Sequence, residues 1–141
     1  MKNIIKSIAA ALLMIVSLSS FAKGSFNPLK DKSSADVMIA YAEAVTAGNY
    51  MFNKYLFTDD FEYENVANKL VLNKRNYIKL IESNKGLKFN CTTNYQILDQ
   101  TGKSCIAKVT MDFNHFQRVD LVTLKLTDNG WKISKVVTTY P

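Results

Sequence analysis

The sequence predicts an α+β domain in which three helices cover one face of an antiparallel sheet. Three observations lead to this class. Helical apolar periodicity is confined to the first half of the chain, runs of strand-forming residues fill the second half, and short turn sequences separate those runs. Helices followed by a block of strands are typical of α+β layers, and 141 residues fit one such domain.

A secretory signal peptide is predicted at the N-terminus, over residues 1–22. Two lysines precede an apolar run from Ile8 to Leu18, and Ser20-Phe21-Ala22 supplies the small residues of a cleavage site. The apolar run is too short to span a bilayer. We therefore expect a periplasmic or secreted protein that is soluble after cleavage and keeps no stable membrane anchor.

The predicted domain covers residues 33–141, after residues 23–32, whose Gly, Asn, Pro and charged residues predict a flexible lead-in. Its first helix is capped by Ser33 or Ser34 and ends at Gly48, which can take the left-handed conformation that follows many helices. Apolar residues recur along this helix at the spacing of one helical face. They are Val37, Ala40, Tyr41, Ala44 and Val45.

Two further helical segments flank a small predicted hairpin. Apolar residues 50–57 predict the second helix, and Thr-Asp-Asp at residues 58–60 ends it. The hairpin pairs residues 61–66 with residues 70–72. Asn73 then caps the third helix. The residues of this helix expected to face inward are Tyr77, Leu80 and Ile81.

From residue 87 onward the chain predicts a meander of four strands, and the turn sequences predict how they pair. The strands cover residues 87–98, 104–113, 118–126 and 131–140. A three-residue first loop that ends at Gly102 would pair Ile97 with Cys105. A last turn centred on Asn129-Gly130 would pair Leu126 with Ile133 and Val122 with Val137. Between them, a two-residue turn at Asn114-His115 would pair Ala107 with Val122 and Cys105 with Leu124.

These registers collect one apolar face that the helices must cover. Its residues are Phe89, Cys91, Tyr95, Ile97, Cys105, Ala107, Val109, Met111, Val122, Leu124, Leu126, Trp131, Ile133 and Val137. Arg118 and Asp120 lie on the same face, while His115 lies in the turn and is expected to face solvent. Cys91 and Cys105 are separated along the ladder by about 20 Å. Since a disulfide needs Cα atoms within about 7 Å, we expect two buried free thiols.

Four segments in a fixed order resemble the nuclear transport factor 2-like superfamily. They are "SADVMIAYAEAVTAGNY", "FTDDFEY", "NKRNYIKLIE" and the closing "DNGWKISKVVTTYP". Within that superfamily the chain resembles the small exported proteins of Bacteroidetes-type bacteria described as "putative lumazine-binding". The resemblance implies a cone, in which a strongly curved antiparallel sheet packs on three helices and a pocket lies at the open end. Relatives of this fold include isomerases, dehydratases, cyclases, ligand binders and inert dimers, so the fold does not name the function.

Several aromatic residues could line such a pocket for a small apolar or aromatic ligand. The set is Tyr41, Tyr55, Phe61, Tyr63, Tyr95 and Met111, with Arg118 and Asp120 as its polar members. Ordinary core filling is the alternative for the same residues and is slightly favoured, because a domain of this size needs large side chains to bury enough area.

Arg118 and Asp120 allow two interpretations. In a dry site, Asp120 could act as a general base beside a tyrosine such as Tyr95, and Arg118 could hold an anion. At a wet hairpin end, the two side chains would form an ion pair of little energetic value. The second interpretation is favoured, and catalysis by His115 is not expected because a lone histidine in a turn is usually a turn residue.

Other partners and cofactors find little support in the sequence. The formal net charge is +6, but the basic residues are scattered, so no nucleic-acid site is expected. One histidine and two distant cysteines give no metal site, and no cofactor motif is present. On the outer face of the sheet, Ile106, Val119 and Leu121 among lysines and threonines would suit a homodimer, or simply an edge of the core.

The function favoured by these observations is a non-catalytic module that binds a small ligand or a partner. An isomerase- or dehydratase-type enzyme with Asp120 as general base is the alternative. A structural dimer with a filled cone is the second alternative.

Overall fold

Three helices and six strands make up residues 26–141, which the computed structural model describes. In chain order they are α1 (Ser34–Thr46), α2 (Asn53–Leu56), β1 (Phe57–Asn65), β2 (Leu70–Asn73), α3 (Lys74–Glu82), β3 (Thr92–Thr101), β4 (Ser104–Asp112), β5 (Gln117–Thr127) and β6 (Gly130–Thr139). The predicted signal peptide lies outside the described residues. Among those residues, none of the helices has the length and apolar character needed to cross a membrane.

The six strands form one curved, unclosed sheet in the order β2-β1-β6-β5-β4-β3. The predicted α+β cone and its four-strand meander are therefore confirmed. One pairing departs from the prediction of an antiparallel sheet: β1 runs parallel to β6, and this contact joins the first hairpin to the meander. The inner face carries the buried core, to which α1 contributes Val37, Met38 and Tyr41.

Helix α1 begins as the sequence predicts. The Ser33 side chain accepts a hydrogen bond from the Asp36 amide at 3.1 Å, and the Asp36 carboxylate accepts one from the Ser33 amide at 3.1 Å. Such a reciprocal cap stabilises a helix by about 1 kcal/mol. After the helix, Gly48 has a φ of 63°, and a Cβ there would lie 2.5 Å from the Asn84 carbonyl oxygen. This close approach packs the end of α1 against the end of α3.

The predicted second helix is mostly wrong. Only Asn53–Leu56 is helical, and Phe57 already begins β1, so Thr58, Asp59 and Asp60 lie in a strand instead of ending a helix. Phe57 is fully buried against the Tyr41 ring, with the ring centroids 6.4 Å apart. Burial of this aromatic side chain outweighs the low strand propensity of the aspartates.

Helix α3 follows the predicted cap but not the full predicted inner face. The Asn73 side chain accepts a hydrogen bond from the Asn76 amide at 3.0 Å, as expected for a cap. Tyr77 and Ile81 are buried, but Leu80 is 41% exposed, so its predicted inward position is wrong. The nine-residue helix therefore buries only a narrow stripe of its surface.

The central register is confirmed, and the register of β3 is wrong by two residues. Ala107 pairs with Val122, as predicted. Ile97 pairs with Ala107 and not with Cys105, because the β3–β4 turn contains two residues and an irregularity lies between Ile97 and Asp99. The turn sets the register of residues 99–101, and the extra residue at the bulge shifts residues 92–97 by one position.

The β5–β6 register is also displaced from the prediction. Leu126 pairs with Trp131, and Ile133 pairs with Leu124, because Gly130 ends the turn with a φ of 93° and does not lie at its centre. A second irregularity falls at Ser134. It reverses the alternation, so the fully buried residue opposite Val122 is Val136 and not the predicted Val137.

The segment before α1 is packed against the sheet. Asn27 and Leu29, which the sequence assigned to a flexible lead-in, are buried. The Asn27 amide donates a hydrogen bond to the Asn129 carbonyl at 2.8 Å. A Cβ at Gly130 would lie 2.6 Å from the Lys30 carbonyl oxygen, so this glycine permits the close approach.

Both cysteines are free thiols, as predicted. Cys105 is buried on the inner face, but Cys91, expected to be buried, is only half-buried because it precedes the edge strand β3.

Candidate functional site

Asp120 lies at the centre of a buried polar network. Its side chain is fully buried, and both oxygens accept hydrogen bonds. Oδ1 accepts from Arg118 Nε at 2.9 Å and from the Thr138 hydroxyl at 2.6 Å. Oδ2 accepts from Arg118 Nη2 at 2.9 Å and from the Tyr41 hydroxyl at 2.7 Å. The carboxylate is therefore saturated by donors from three side chains.

The strand geometry explains how these groups meet. Arg118 and Asp120 are two residues apart on β5, so their side chains share one face. Thr138 is the cross-strand partner of Asp120 on β6, and the irregularity at Ser134 turns it inward. Tyr41 reaches the carboxylate from α1. The network thus joins the first helix to β5 and β6, the two central strands of the sheet.

The Arg118–Asp120 pair is not the wet, exposed ion pair that the sequence favoured. The Arg118 side chain is 14% exposed and that of Asp120 is 0% exposed. Burial alone lowers the pKa of Arg118, but the adjacent Asp120 carboxylate raises it, and the pKa lies above its ordinary value. The hairpin end is dry because the rings of Tyr41 and Tyr77 cover this part of the sheet face.

The two buried tyrosines remain neutral donors. Burial, followed by the Asp120 charge, raises the pKa of Tyr41 well above its ordinary value, and the same two causes raise the pKa of Tyr77. The Tyr41 and Tyr77 hydroxyl oxygens are 2.9 Å apart. Since Tyr41 donates its proton to the carboxylate, Tyr77 must donate to Tyr41. The order of donation is therefore Tyr77 to Tyr41 to Asp120.

These raised pKa values predict a loss of stability at alkaline pH. Above the ordinary tyrosine pKa of about 10, the unfolded chain releases protons that folded Tyr41 and Tyr77 retain, so the free energy of unfolding falls as pH rises. The two groups together should remove about 2–3 kcal/mol between pH 9 and pH 11. Urea unfolding at several pH values measures this slope. Tyr77→Phe should roughly halve it, and an unchanged slope in that variant would contradict the assignment.

A cavity of about 240 Å³ adjoins this network at the open end of the sheet. The β1–β2 turn, the C-terminal part of α3 and the ends of the meander strands surround it. Its lining residues are Val45, Tyr63, Asn65, Asn68, Leu70, Tyr77, Leu80, Ile81, Asn84, Phe89, Arg118 and Tyr140. The Tyr63 and Tyr77 rings stack with centroids 4.4 Å apart, so one wall of the cavity is aromatic.

Arg118 lines this cavity and has more hydrogen-bond donors than its bonds to Asp120 use. Its Nε and Nη2 atoms donate to Asp120, and within residues 26–141 no hydrogen bond uses Nη1. A guanidinium carries five N–H donors, so those on Nη1 are available to a ligand in the cavity. The arginine is thus fixed on one edge by Asp120 and free on the other.

An aromatic row extends outward from the cavity mouth. Phe89 lines the cavity and lies 6.1 Å from Phe113, measured between ring centroids. Phe113 stacks on Phe116 at 4.5 Å, and Phe116 lies 6.0 Å from Tyr140. Phe116 is 52% exposed and Tyr140 is 44% exposed, which leaves two aromatic side chains at the rim.

Of the eight pocket residues predicted from sequence, four come together here. Tyr41, Arg118 and Asp120 form the network, and Tyr63 lines the cavity. Met111 is buried opposite Arg118 but does not line the cavity. Phe61 is buried beside Tyr77, and neither Phe61 nor Tyr55 lines the cavity. Tyr95, the proposed partner of a catalytic Asp120, is 39% exposed on edge strand β3, and Tyr41 donates to the carboxylate in its place. The two tyrosines differ in place, because Tyr41 lies on the buried face of α1, whereas Tyr95 lies on a strand whose side chains are almost all exposed.

Sequence reasoning missed the roles of Tyr77 and Thr138. Tyr77 was recognised as an inward residue of α3, which was the available signal, but its hydroxyl was not connected to Asp120. Thr138 carried no signal because its inward orientation depends on the irregularity at Ser134. His115 is exposed in the β4–β5 turn, as expected.

No group of three or more metal-ligating side chains occurs between residues 26 and 141.

Comparisons with known proteins place this architecture. The profile of the family described as "Putative lumazine-binding" matches residues 30–140. A search of the curated proteins gives no match.

Solved structures of nuclear transport factor 2-like proteins share the fold. A protein of unknown function from Silicibacter pomeroyi has a TM-score of 0.63 at 15% identity, with 76% of this chain and 92% of that chain covered. One of unknown function from Methylobacillus flagellatus has a TM-score of 0.61 at 20% identity, covering 79% and 97%. One from Cytophaga hutchinsonii has a TM-score of 0.60 at 18% identity, covering 77% and 99%. The chain shares the fold of these nuclear transport factor 2-like proteins, and it belongs to the family described as "Putative lumazine-binding".

Proposed function

We propose that the protein binds a small, flat and partly apolar ligand in the cavity beside Tyr63 and Tyr77, and that it does so without catalysis. The observation that carries this proposal is that Arg118 both bonds to Asp120 and lines the cavity. One edge of its guanidinium is held by the buried Asp120, and the other edge is left to the cavity. A fixed donor beside an aromatic wall is suited to recognise a ring with hydrogen-bond acceptors.

The size of the cavity limits the ligand. Its volume of about 240 Å³ is smaller than that of a typical pocket for drug-sized molecules. A single small ring system would fit inside, and a larger ligand would continue along the exposed rings of Phe116 and Tyr140. The family's description names lumazine, a flat bicyclic ring with carbonyl oxygens, and this chemistry agrees with an arginine donor and a tyrosine wall.

The site gives a catalytic role for Asp120 little support. A general base must lie within hydrogen-bond reach of the proton that it removes. The carboxylate is fully buried, and each of its oxygens already accepts two hydrogen bonds. We therefore assign Asp120 the role of a positioning residue for Arg118.

We further propose that the domain is exported and forms a homodimer. Export rests on the charged, apolar and small-residue regions of residues 1–22. The dimer rests on the outer face of the sheet, where Ile106 is 38% exposed and Leu121 is 42% exposed. Size-exclusion chromatography with light scattering would report the mass of the assembly.

Blocking the cavity tests the binding function. Leu80 lines the cavity at its rim and is 41% exposed, so Leu80→Trp should fill the opening without disturbing the core. We expect lumazine, titrated by its own fluorescence, to bind the wild type and to bind this variant at least about tenfold more weakly. Leu98→Trp is the matched control, because Leu98 is 47% exposed on β3 and does not line the cavity.

Two outcomes would contradict the proposal. One is equal affinity for the ligand in Leu80→Trp and Leu98→Trp. The other is a wild-type protein that neither binds lumazine nor carries a co-purified small molecule in native mass spectrometry.

A further inference from the structure

A second cleft, of about 510 Å³, lies at the opposite end of the sheet and is lined by three lysines. Lys54 comes from α2, Lys74 from the start of α3 and Lys132 from the start of β6. Tyr140, which lines the first cavity, follows the other end of β6. Tyr140 and Lys132 are eight positions apart, which corresponds to about 26 Å along an extended chain. The two sites therefore share no lining residue.

The charge in this lysine cleft is not balanced. Its single lining carboxylate, Asp59, lies 3.4 Å from Lys74 Nζ. Lys132 Nζ donates to the Tyr55 carbonyl oxygen at 3.1 Å, and Lys54 Nζ lies 4.9 Å from the centre of the Tyr55 ring. Within residues 26–141, neither Lys54 nor Lys132 has a carboxylate at ion-pair distance. The side chains that line the cleft therefore carry two more positive charges than negative charges.

The charge imbalance affects the pKa of Lys132. Burial lowers the pKa of its ammonium group, and repulsion from Lys74 lowers it further, against the attraction of Asp59. A partly desolvated ammonium beside a second one is unfavourable unless an anion compensates it. The adjoining hollow adds Arg75, which lines it together with Lys74 and Asp59. Arg75 thus adds a fourth basic residue beside the three lysines of the cleft.

We propose that the lysine cleft binds an oxyanion, namely a phosphate or sulfate group. Three ammonium groups that arrive from α2, α3 and β6 can each bond a different oxygen of a tetrahedral anion. The Asn129 side chain lines the same cleft and supplies a neutral polar contact. The Tyr55 ring offers an apolar surface to whatever carries the group. Occupation of this site is independent of the cavity beside Tyr63 and Tyr77.

Titration of the full-length protein with inorganic phosphate tests the site. We expect saturable binding. We also expect phosphate to raise the pKa of the Lys132 ammonium group, measured by following the ¹³Cε chemical shift of Lys132 as pH is varied. Lys132→Met should weaken phosphate binding about tenfold. Lys88→Met is the matched control, because Lys88 is exposed outside the cleft and the variant loses the same charge. Asp59→Asn should strengthen binding, because it removes the one carboxylate in the cleft.

The outcomes separate a built site from general attraction between charges. Equal weakening by Lys132→Met and Lys88→Met, or the lack of saturable binding at millimolar phosphate, would overturn the proposal. Sedimentation with phosphatidylglycerol vesicles distinguishes the source of the phosphate. Vesicle binding that Lys132→Met abolishes assigns the group to a lipid, and binding of free phosphate alone assigns it to a soluble ligand.

Discussion

Asp120→Asn is expected to lower the free energy of unfolding by about 3–5 kcal/mol, because it leaves Arg118 charged, buried and without a counter-ion. The Arg118 side chain is only 14% exposed, so water cannot replace the lost carboxylate. In the wild type, Arg118, Tyr41 and Thr138 donate to the two oxygens of the Asp120 carboxylate. The amide of the variant offers these donors only one acceptor oxygen. Urea unfolding at neutral pH measures the loss.

A double variant separates the pair from its surroundings. Arg118→Met combined with Asp120→Leu should cost less than Asp120→Asn alone, because it removes both charges together. A loss below about 1 kcal/mol for Asp120→Asn would instead match an exposed ion pair and would contradict the buried network. The single variant should also weaken ligand binding through Arg118, whereas an enzyme with Asp120 as its base would lose turnover and retain affinity.

Tyr77→Ala is expected to cost about 3–5 kcal/mol, because this residue joins α3 to the sheet through its ring and its hydroxyl. Tyr77 is 1% exposed, and its ring contacts those of Phe57, Phe61 and Tyr63 with centroids 4.4–5.6 Å apart. Truncation leaves a cavity that the surrounding aromatic side chains cannot fill by small movements. Thermal or urea unfolding reports the effect.

Two further variants divide this cost. Tyr77→Phe keeps the ring and removes only the hydrogen bond to Tyr41, so about 1 kcal/mol should be lost. Leu80→Ala, three residues further along α3, removes a 41% exposed side chain and should cost far less than Tyr77→Ala. Similar losses for Leu80→Ala and Tyr77→Ala would mean that the two residues contribute equally to the contact between α3 and the sheet.

Local patterns in the sequence predicted the features that depend on local chemistry. The caps at Ser33 and Asn73 follow from side chains that hydrogen-bond backbone amides within three residues. The pairing of Ala107 with Val122 follows from a short turn between two alternating strands. The inward orientation of Arg118 and Asp120 followed from that register, and the structure places both there.

The remaining features depend on irregularities and on long-range packing. The bulges near Leu98 and Ser134 occur without a glycine or proline to mark them, and each displaces the residues that follow. The partner of Asp120 depends on which side chain of α1 the long-range packing brings to the carboxylate, and no local pattern specifies this. For this reason the sequence pattern predicts Tyr95 beside Asp120, whereas in the structure Tyr41 donates to the carboxylate. The dryness of the ion pair has the same origin.

The parallel contact between β1 and β6 sets the order in which the protein can assemble. The strand made last, β6, lies between β5 and β1, and Tyr63 pairs there with Val136, more than seventy positions later in the chain. The β1–β2 hairpin can therefore pair with the rest of the sheet only after β6 has been synthesised. Closure of so long a loop favours slow folding, with the early aromatic segment exposed to chaperones until then.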